Sequence, residues 1–414
     1  MAVPAEEARI VQAMAGDARE FLMGLVRFRS THGNEAEAMD YVAQHCRAAG
    51  LEPSAHAIPD SIKSDPQYTF PEVDRSFEGR PNCLFRLKGP RPGRTVIINS
   101  HVDVVPADDW PEAFSPRLED DTVFGRGACD AKGCVAALYL AARAMKKLGL
   151  PAAGEVIFQF VIDEEVGGNG TLALIREGIK ADGAVVIEPT NLAVHPANRG
   201  AIWFRFEFEG RSCHMGRKHE GLSAIELACE TLSILAEYEK ELVRDQDTQP
   251  LFAYYEYPAQ VNVGTLHGGH FPSAVSGSAV MEGGVGFLPN RPMEQVKDDL
   301  VRYIDNLGSD RLKSHYKLSF PKLHNDSYET PVEDPLVQAL HKAACETRGE
   351  DEIAGWNVSC DARLFAKVAG LPTVVFGPGM IDDAHSASEK IRVSDIATAA
   401  ETLVKFVQRW CVET

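Results

Sequence analysis

Thr95-Val96-Ile97-Ile98-Asn99-Ser100-His101-Val102-Asp103-Val104-Val105-Pro106 is the run from which the fold can be read. A short apolar, β-branched segment that turns polar and closes on a proline predicts a buried strand. Downstream, a helix is expected from near Gly133 to Gly149, then a continuous apolar strand over Glu155–Ile162 and another over Gly183–Ile187. Upstream, apolar residues at helical spacing cover roughly 5–28 and 34–49, and Gly50 stops the second helix. A segment rich in Pro, Asp and Ser over roughly 59–80 reads as a long surface loop, followed by a strand at Asn82–Lys88. Strands alternating with helices predict an α/β fold: a mixed, mostly parallel sheet flanked by helices.

The pattern changes near Arg199. Ala201–Phe208 alternates as a half-buried strand, roughly 221–243 is an amphipathic helix, Val261–Leu266 and Ala279–Phe287 are strands, a helix covers roughly 293–307, and Lys317–Phe320 is a short last strand. The order β-α-β-β-α-β is that of a ferredoxin-like α+β domain. From about residue 330 the α/β character returns, with a helix near 334–347, a strand at Thr373–Phe376 and a closing helix near 394–410. At 414 residues the chain exceeds what one core usually serves. The expected division is a larger domain of residues 1–198 and 316–414 interrupted by a smaller one of residues 199–315.

The formal net charge of −18 argues against nucleic acid or anionic membranes as partners. The start, Met-Ala-Val-Pro-Ala-Glu-Glu, has no basic segment leading into an apolar one, so no signal peptide is expected. No stretch approaches about 18 uninterrupted apolar residues, so no membrane span is expected. The nine cysteines are scattered and odd in number, which fits a reducing cytoplasm better than a disulfide framework. Cys129 and Cys134 read as small buried thiols.

The carboxyl ends of the strands, where open α/β sheets bind ligands, are dense in metal-binding side chains. The first strand delivers His101 and Asp103, the third Asp163-Glu164-Glu165, the fourth Glu188, and the late strand leads through Gly377-Pro378-Gly379 to His385. Asp130 lies between Gly125-Arg126-Gly127 and Lys132-Gly133 at a helix start. Singly, each carboxylate reads as a cap and each histidine as an ordinary polar residue. Jointly they would repel one another in a shared cleft, and divalent cations resolve that repulsion. Mixed imidazole and carboxylate donors suit zinc, and also manganese or cobalt. His101 and Asp103, two apart on a strand, share a face, so Asp103 can orient the imidazole. Asp130 could bridge two cations. Glu164 and Glu165, being adjacent, point apart, leaving one for metal and one for proton transfer.

The runs Ser100-His101-Val102-Asp103-Val104-Val105-Pro106, Gly125–Gly133, Asp163-Glu164-Glu165 and Ala384-His385-Ser386 together resemble the acetylornithine deacetylase / succinyl-diaminopimelate desuccinylase family of aminoacylases and carboxypeptidase-type enzymes. The resemblance extends over nearly the whole chain, the inserted domain included. It implies a hydrolase that cuts the amide bond of an N-acyl amino acid or related small amine, or a short peptide, with two zinc ions as cofactors. His101, Asp130 and Glu188 would hold one ion; Asp130, Glu165 and His385 would hold the other. Asp103 would orient His101, Glu164 would be general base and acid, and the peptide after Asp130 is often cis. The inserted domain would serve as a lid and homodimer contact, with His214, in Ser212-Cys213-His214-Met215-Gly216, polarising the substrate carbonyl across the dimer. Arg363 would grip a substrate carboxylate; read by itself it is equally a surface helix arginine paired with Asp361. Gly377 would bring backbone close to the ligand. His267 and His270, separated by glycines, read as a turn rather than a metal pair. In one place the chain departs from the family's pattern: Ser273 and Gly286 stand where carboxypeptidase-like members carry an asparagine and an arginine that clamp an α-carboxylate. A dipeptidase and a non-catalytic metal-binding protein are the rival readings.

Overall fold

A computed structural model of the chain describes residues 6–107, 110–349 and 352–412. These divide into two compact units: the described residues of Met1–Ala197, Glu329–Trp356 and Cys360–Thr414, and those of Asn198–Tyr328 with Asn357–Ser359.

The first unit is built on a nine-stranded sheet. Four neighbouring strands at its centre, Glu155–Val161, Thr95–His101, Gly183–Val186 and Thr373–Val375, run parallel. Antiparallel strands Asn82–Lys88 and Val194–Asn198 flank them. Every residue of Val96–His101 is buried, as expected of a central strand covered on both faces. The covering helices include Glu6–Val26, Lys132–Leu148, Pro335–Arg348 and Val393–Trp410. Lys132–Leu148 is almost wholly buried and ends at Gly149 in the left-handed conformation, where a glycine costs least. The expected mixed, mostly parallel α/β sheet with helices is therefore present.

The segment at roughly 59–80 differs from a plain surface loop. Ile62, Tyr68 and Phe77 are buried, and Asp60–Ser64 is a 3-10 turn. Among the pieces that escaped the periodicity are the helix Asn169–Arg176, the strands Val194–Asn198 and Ile353–Trp356, and a small sheet of Arg117–Glu119, Thr122–Phe124 and Lys390–Arg392.

The second unit has the β-α-β-β-α-β order. Its sheet runs Gln260–Gly268, Ser278–Phe287, Gly200–Glu209, Tyr316–Ser319, with helices Ala224–Arg244 and Met293–Leu307. Ser223 caps the first helix by accepting from the Glu226 N–H. The expected boundary at 315/316 is corrected: Tyr316–Ser319 and His324–Asn325 both pair with Gly200–Glu209, so this unit continues to Tyr328.

Candidate metal centre

His101, Asp130, Glu164, Glu165, Glu188 and His385, far apart in sequence, converge at the carboxyl ends of the parallel strands of the first unit. Two trios have ligand-type atoms within 4.8 Å of one another, His101–Asp130–Glu188 and Asp130–Glu165–His385. Asp130 is common to both: its Oδ1 lies 3.2 Å from His101 Nε2 and its Oδ2 3.3 Å from His385 Nε2. His385 Nε2 is also 3.3 Å from Glu165 Oε1, and His101 Nε2 is 3.8 Å from Glu188 Oε2. Glu164 belongs to neither trio, yet its Oε2 is 4.0 Å from His101 Nε2.

Backbone constraints aim these groups. His101 ends its strand and is buried. Its Nδ1 is 3.0 Å from the Asp103 carbonyl and 3.5 Å from the Asp103 carboxylate, so the hydrogen bond runs to the main chain, not to the side chain as the spacing suggested. A carbonyl only accepts, so Nδ1 carries the proton and the Nε2 lone pair faces the carboxylates. Asp103 Oδ2 instead accepts from the Glu165 N–H at 3.0 Å. Asp163 (φ 63) opens a tight turn in which Gly168 N–H donates to the Asp163 carbonyl and Gly167 N–H to that of Glu164. That turn separates the adjacent glutamates, one toward His101 and one toward His385. The Asp130–Ala131 peptide is cis.

Glu389 had no sequence signal of its own. It is buried, accepts from the Cys129 and Asp130 N–H groups through Oε1, and pairs with Arg126 Nη1 at 2.5 Å through Oε2. It therefore fixes the backbone that presents Asp130. The clue was Arg126, a cation between glycines that required an anionic partner. Asp361 is likewise buried and bonded to Thr171 Oγ1 at 2.5 Å.

Both residues expected at the substrate are packed against the turns that carry the glutamates. Arg363 is neither a surface residue nor an exposed clamp: it is 2% accessible and its Nη2 donates to the Gly167 carbonyl, buttressing the Glu164–Glu165 turn. Gly377 packs its backbone against Glu188. A Cβ there would stand 2.6 Å from the Glu188 carbonyl oxygen, and the Gly377 N–H donates to Thr190 Oγ1. His214 lies in the second unit, exposed, with Nδ1 accepting from the Gly216 N–H at 3.2 Å. His267 is the penultimate residue of the strand Gln260–Gly268, and Gly269 follows it at φ 73. Cys129 and Cys134 are buried, and burial pushes both thiols far up.

The electrostatics without cations are those of a frustrated cluster. Burial pushes Glu165 up to about 7 and Glu188 up to about 7, and raises Glu164 well above the usual carboxylate range. Burial also acts to raise Asp130, but the two imidazoles outweigh it and hold that carboxyl well below its ordinary value. Hydrogen bonds to Asp130 and Glu165 raise His385 to about 10. Glu188 Oε1 and Asp103 Oδ1 are buried without a hydrogen-bond partner. Two imidazoles and three carboxylates gathered in two trios, with Glu188 Oε1 buried and unpartnered, are a donor set whose mutual repulsion and protons a cation would replace, so the residues present fit a pair of divalent metals. A third trio, His32–Glu35–Asp163, has similar spacing, but the Arg80 guanidinium already pairs with both of its carboxylates.

A model of peptidase family M20/M25/M40 matches residues 97–409. The N-formyl-4-amino-5-aminomethyl-2-methylpyrimidine deformylase of Halalkalibacterium halodurans is 22% identical over 91% of this chain and 90% of its own length. That of Bacillus subtilis is 26% identical over 81% and 84%. The acetylornithine deacetylase of Myxococcus xanthus is 28% identical over 78% and 82%. Among solved structures, aminopeptidase PepT from Bacillus cereus superposes with a TM-score of 0.73 at 20% identity, covering 95% of this chain and 98% of that one. A dinuclear metal-binding peptidase of the M20 family from Bacillus subtilis does so at 0.68 and 14%, covering 96% and 98%. At these identities the two structures share the fold.

Proposed function

This chain belongs to peptidase family M20/M25/M40 and is a metal-dependent amide hydrolase, and we propose that it is a deacylase removing a small acyl group, such as formyl or acetyl, from a small amine or amino acid. His101, Asp130 and Glu188 would hold one ion and Asp130, Glu165 and His385 the other, with zinc the reading that best suits the mixed nitrogen and oxygen donors. When bound, the metal pair supplies Lewis acidity that polarises the acyl carbonyl and acidifies water.

The single observation that carries the mechanism is the place of Glu164: half-buried, 4.0 Å from His101, and in neither ligand trio. A binding protein has no use for such a carboxylate. Glu164 takes a proton from water as the new C–O bond forms, and returns it to the leaving nitrogen as the C–N bond breaks. Asp103 holds Glu165 by accepting from its main-chain N–H through Oδ2, and holds His101 by accepting from Nδ1–H through its own main-chain carbonyl at 3.0 Å. Across the proposed homodimer, His214 would offer an N–H to the carbonyl oxygen in the partner's site: because Nδ1 accepts from Gly216, Nε2 is the protonated, exposed nitrogen. We read the second unit as the lid and homodimer contact, an assignment supported by its exposed edge strand Gln260–Gly268. The nine free cysteines fit a reducing compartment such as the cytoplasm.

The relatives named above act on an N-formyl aminomethylpyrimidine and on acetylornithine, which supports a small acyl group. With Gly286 and Ser273 in place of the clamp residues and Arg363 buried, the amine side need not carry an α-carboxylate. The test is a panel of N-formyl, N-acetyl and N-succinyl amines, their amino-acid counterparts and dipeptides, run with wild type and Glu164→Gln. Hydrolysis of acylated amines that falls at least about 10²-fold in the variant, with metal content unchanged, is the expected result. Turnover of the variant at the wild-type rate would remove Glu164 from the mechanism; activity on dipeptides alone would make the chain an exopeptidase.

A further inference from the structure

Arg80 lies outside the metal centre and outside every run that carried the resemblance, yet it is side-chain buried and fully engaged. Its Nε donates to Glu35 Oε2 at 2.6 Å, and its Nη2 donates to both Glu35 Oε1 and Asp163 Oδ1 at 2.7 Å. Its Nη1 donates to the Ser76 carbonyl at 3.1 Å, and the guanidinium stands 5.3 Å from the Phe77 ring centroid. Glu35 is itself held at the start of the helix Ala36–Ala48, where its Oε1 accepts from the Gly33 N–H at 2.9 Å. His32 Nδ1 reaches the same Asp163 oxygen at 2.9 Å, and His32 Nε2 lies 3.1 Å from the Val73 carbonyl.

The consequence falls on the next two residues. Asp163 adopts φ 63, a left-handed conformation that side chains seldom take without compensation. The turn it begins decides that Glu164 faces His101 while Glu165 faces His385. The far side of that turn is fixed independently, by Asp103 accepting from the Glu165 N–H and Arg363 donating to the Gly167 carbonyl. The near side is fixed by the Asp163 carboxylate. We propose that Arg80, braced by Glu35, is a positioning residue for the general base, holding Asp163 so that Glu164 stands free of both ligand trios and in reach of the reacting atoms. Only a planar fork does this: one guanidinium spans two carboxylates that would otherwise repel, which an ammonium cannot match in geometry.

This inference rests on the proposed role of Glu164, and the test separates the two. Arg80→Lys keeps the charge and loses the fork. It is expected to lower kcat by about 10-fold to 10²-fold, the scale of an ångström of misplacement, with KM and metal content within about twofold of wild type. In a Glu164→Gln background the same change is expected to alter the residual rate by less than about twofold, because the group it positions is gone. A purely structural role would cost both backgrounds equally, and that additive result would overturn the proposal while leaving Glu164 in place. A Glu164→Gln enzyme as fast as wild type would instead defeat the underlying mechanism. Should Arg80→Lys fold poorly, Asp163→Gly carries the test. Glycine accepts φ 63 without strain but has no carboxylate to hold. A fall in kcat like that expected for Arg80→Lys supports the tether, and wild-type kcat in a folded Asp163→Gly overturns it.

Discussion

Replacing Gly377 with alanine probes how the late strand presents Glu188. An ideal Cβ at that position lies 2.6 Å from the Glu188 carbonyl oxygen, 2.7 Å from Ile187 Cγ2 and 3.1 Å from the Glu188 nitrogen. The shortest of these is about 0.8 Å inside an ordinary van der Waals contact. Gly377 cannot simply recede, because its N–H is bonded to Thr190 Oγ1 and its carbonyl accepts from the Leu192 N–H at 2.8 Å and from Thr190 Oγ1 at 3.2 Å. The displacement is therefore passed to Ile187–Thr190, which carries Glu188. Metal–ligand distances tolerate about 0.2 Å, so a shift of even half the overlap spoils the His101–Asp130–Glu188 trio. Two effects are expected: overpacking of about 1–3 kcal/mol in stability, and a roughly 10-fold to 10²-fold loss of affinity for one of two ions. The Asp130–Glu165–His385 trio keeps its own geometry. Titrating zinc or cobalt into chelator-stripped protein by calorimetry, with a thermal melt alongside, reads both effects. Two wild-type affinities in a folded Gly377→Ala protein would refute the claim that this glycine positions a ligand. Equal weakening of both ions would point to global loosening instead.

In the metal-free protein, Glu165 and Glu188 (each near 7) and His385 (near 10) all sit above their unfolded values. Each contributes stability that is present at low pH and lost as pH rises through the folded value, so the stripped protein is expected to melt lower at pH 8 than at pH 6. Metal must displace those protons, so the rise in Tm on adding metal should be larger at pH 8; an equal or smaller rise than at pH 6 would contradict the ligand assignment. Glu389→Gln leaves Arg126 without its buried anion and is expected to cost about 3–5 kcal/mol by denaturant unfolding, and to weaken both ions together because Asp130 serves both trios. Loss of stability with both affinities intact would show that Glu389 does not hold Asp130 in place. Adding metal to 100 times its Kd should raise stability by about 2.7 kcal/mol per site, reversibly removed by a chelator.

Much of the centre was legible because a strand buried on both faces leaves a plain signature. An apolar run such as Val96–Ile98 turns abruptly polar at Asn99-Ser100-His101, and the polar residues at such ends collect along one edge of the sheet. What the sequence concealed was burial and long-range pairing. Arg363 looks accessible on a short helix and is enclosed beneath the Gly167 carbonyl. Glu389 sits in an unremarkable Ser388-Glu389-Lys390 run, and only the fold brings it 263 residues back to Arg126. The segment at roughly 59–80 looked solvated because it is rich in prolines and acids, yet its Tyr68 and Phe77 pack into the core and Arg80 at its end reaches Asp163. The second unit runs past its expected boundary because its last strand, expected at Lys317–Phe320, and the two-residue strand His324–Asn325, too short for any periodicity to show, both pair with Gly200–Glu209.

Metal stoichiometry in wild type and Asp130→Asn tests the centre most directly. Asp130 is the one side chain that both trios share, one oxygen toward each imidazole. Elemental analysis of the loaded wild-type protein should give two ions per chain, and the variant should lose affinity for both. One ion or none in the wild type, or two ions retained at unchanged affinity by Asp130→Asn, would contradict a paired centre bridged by Asp130.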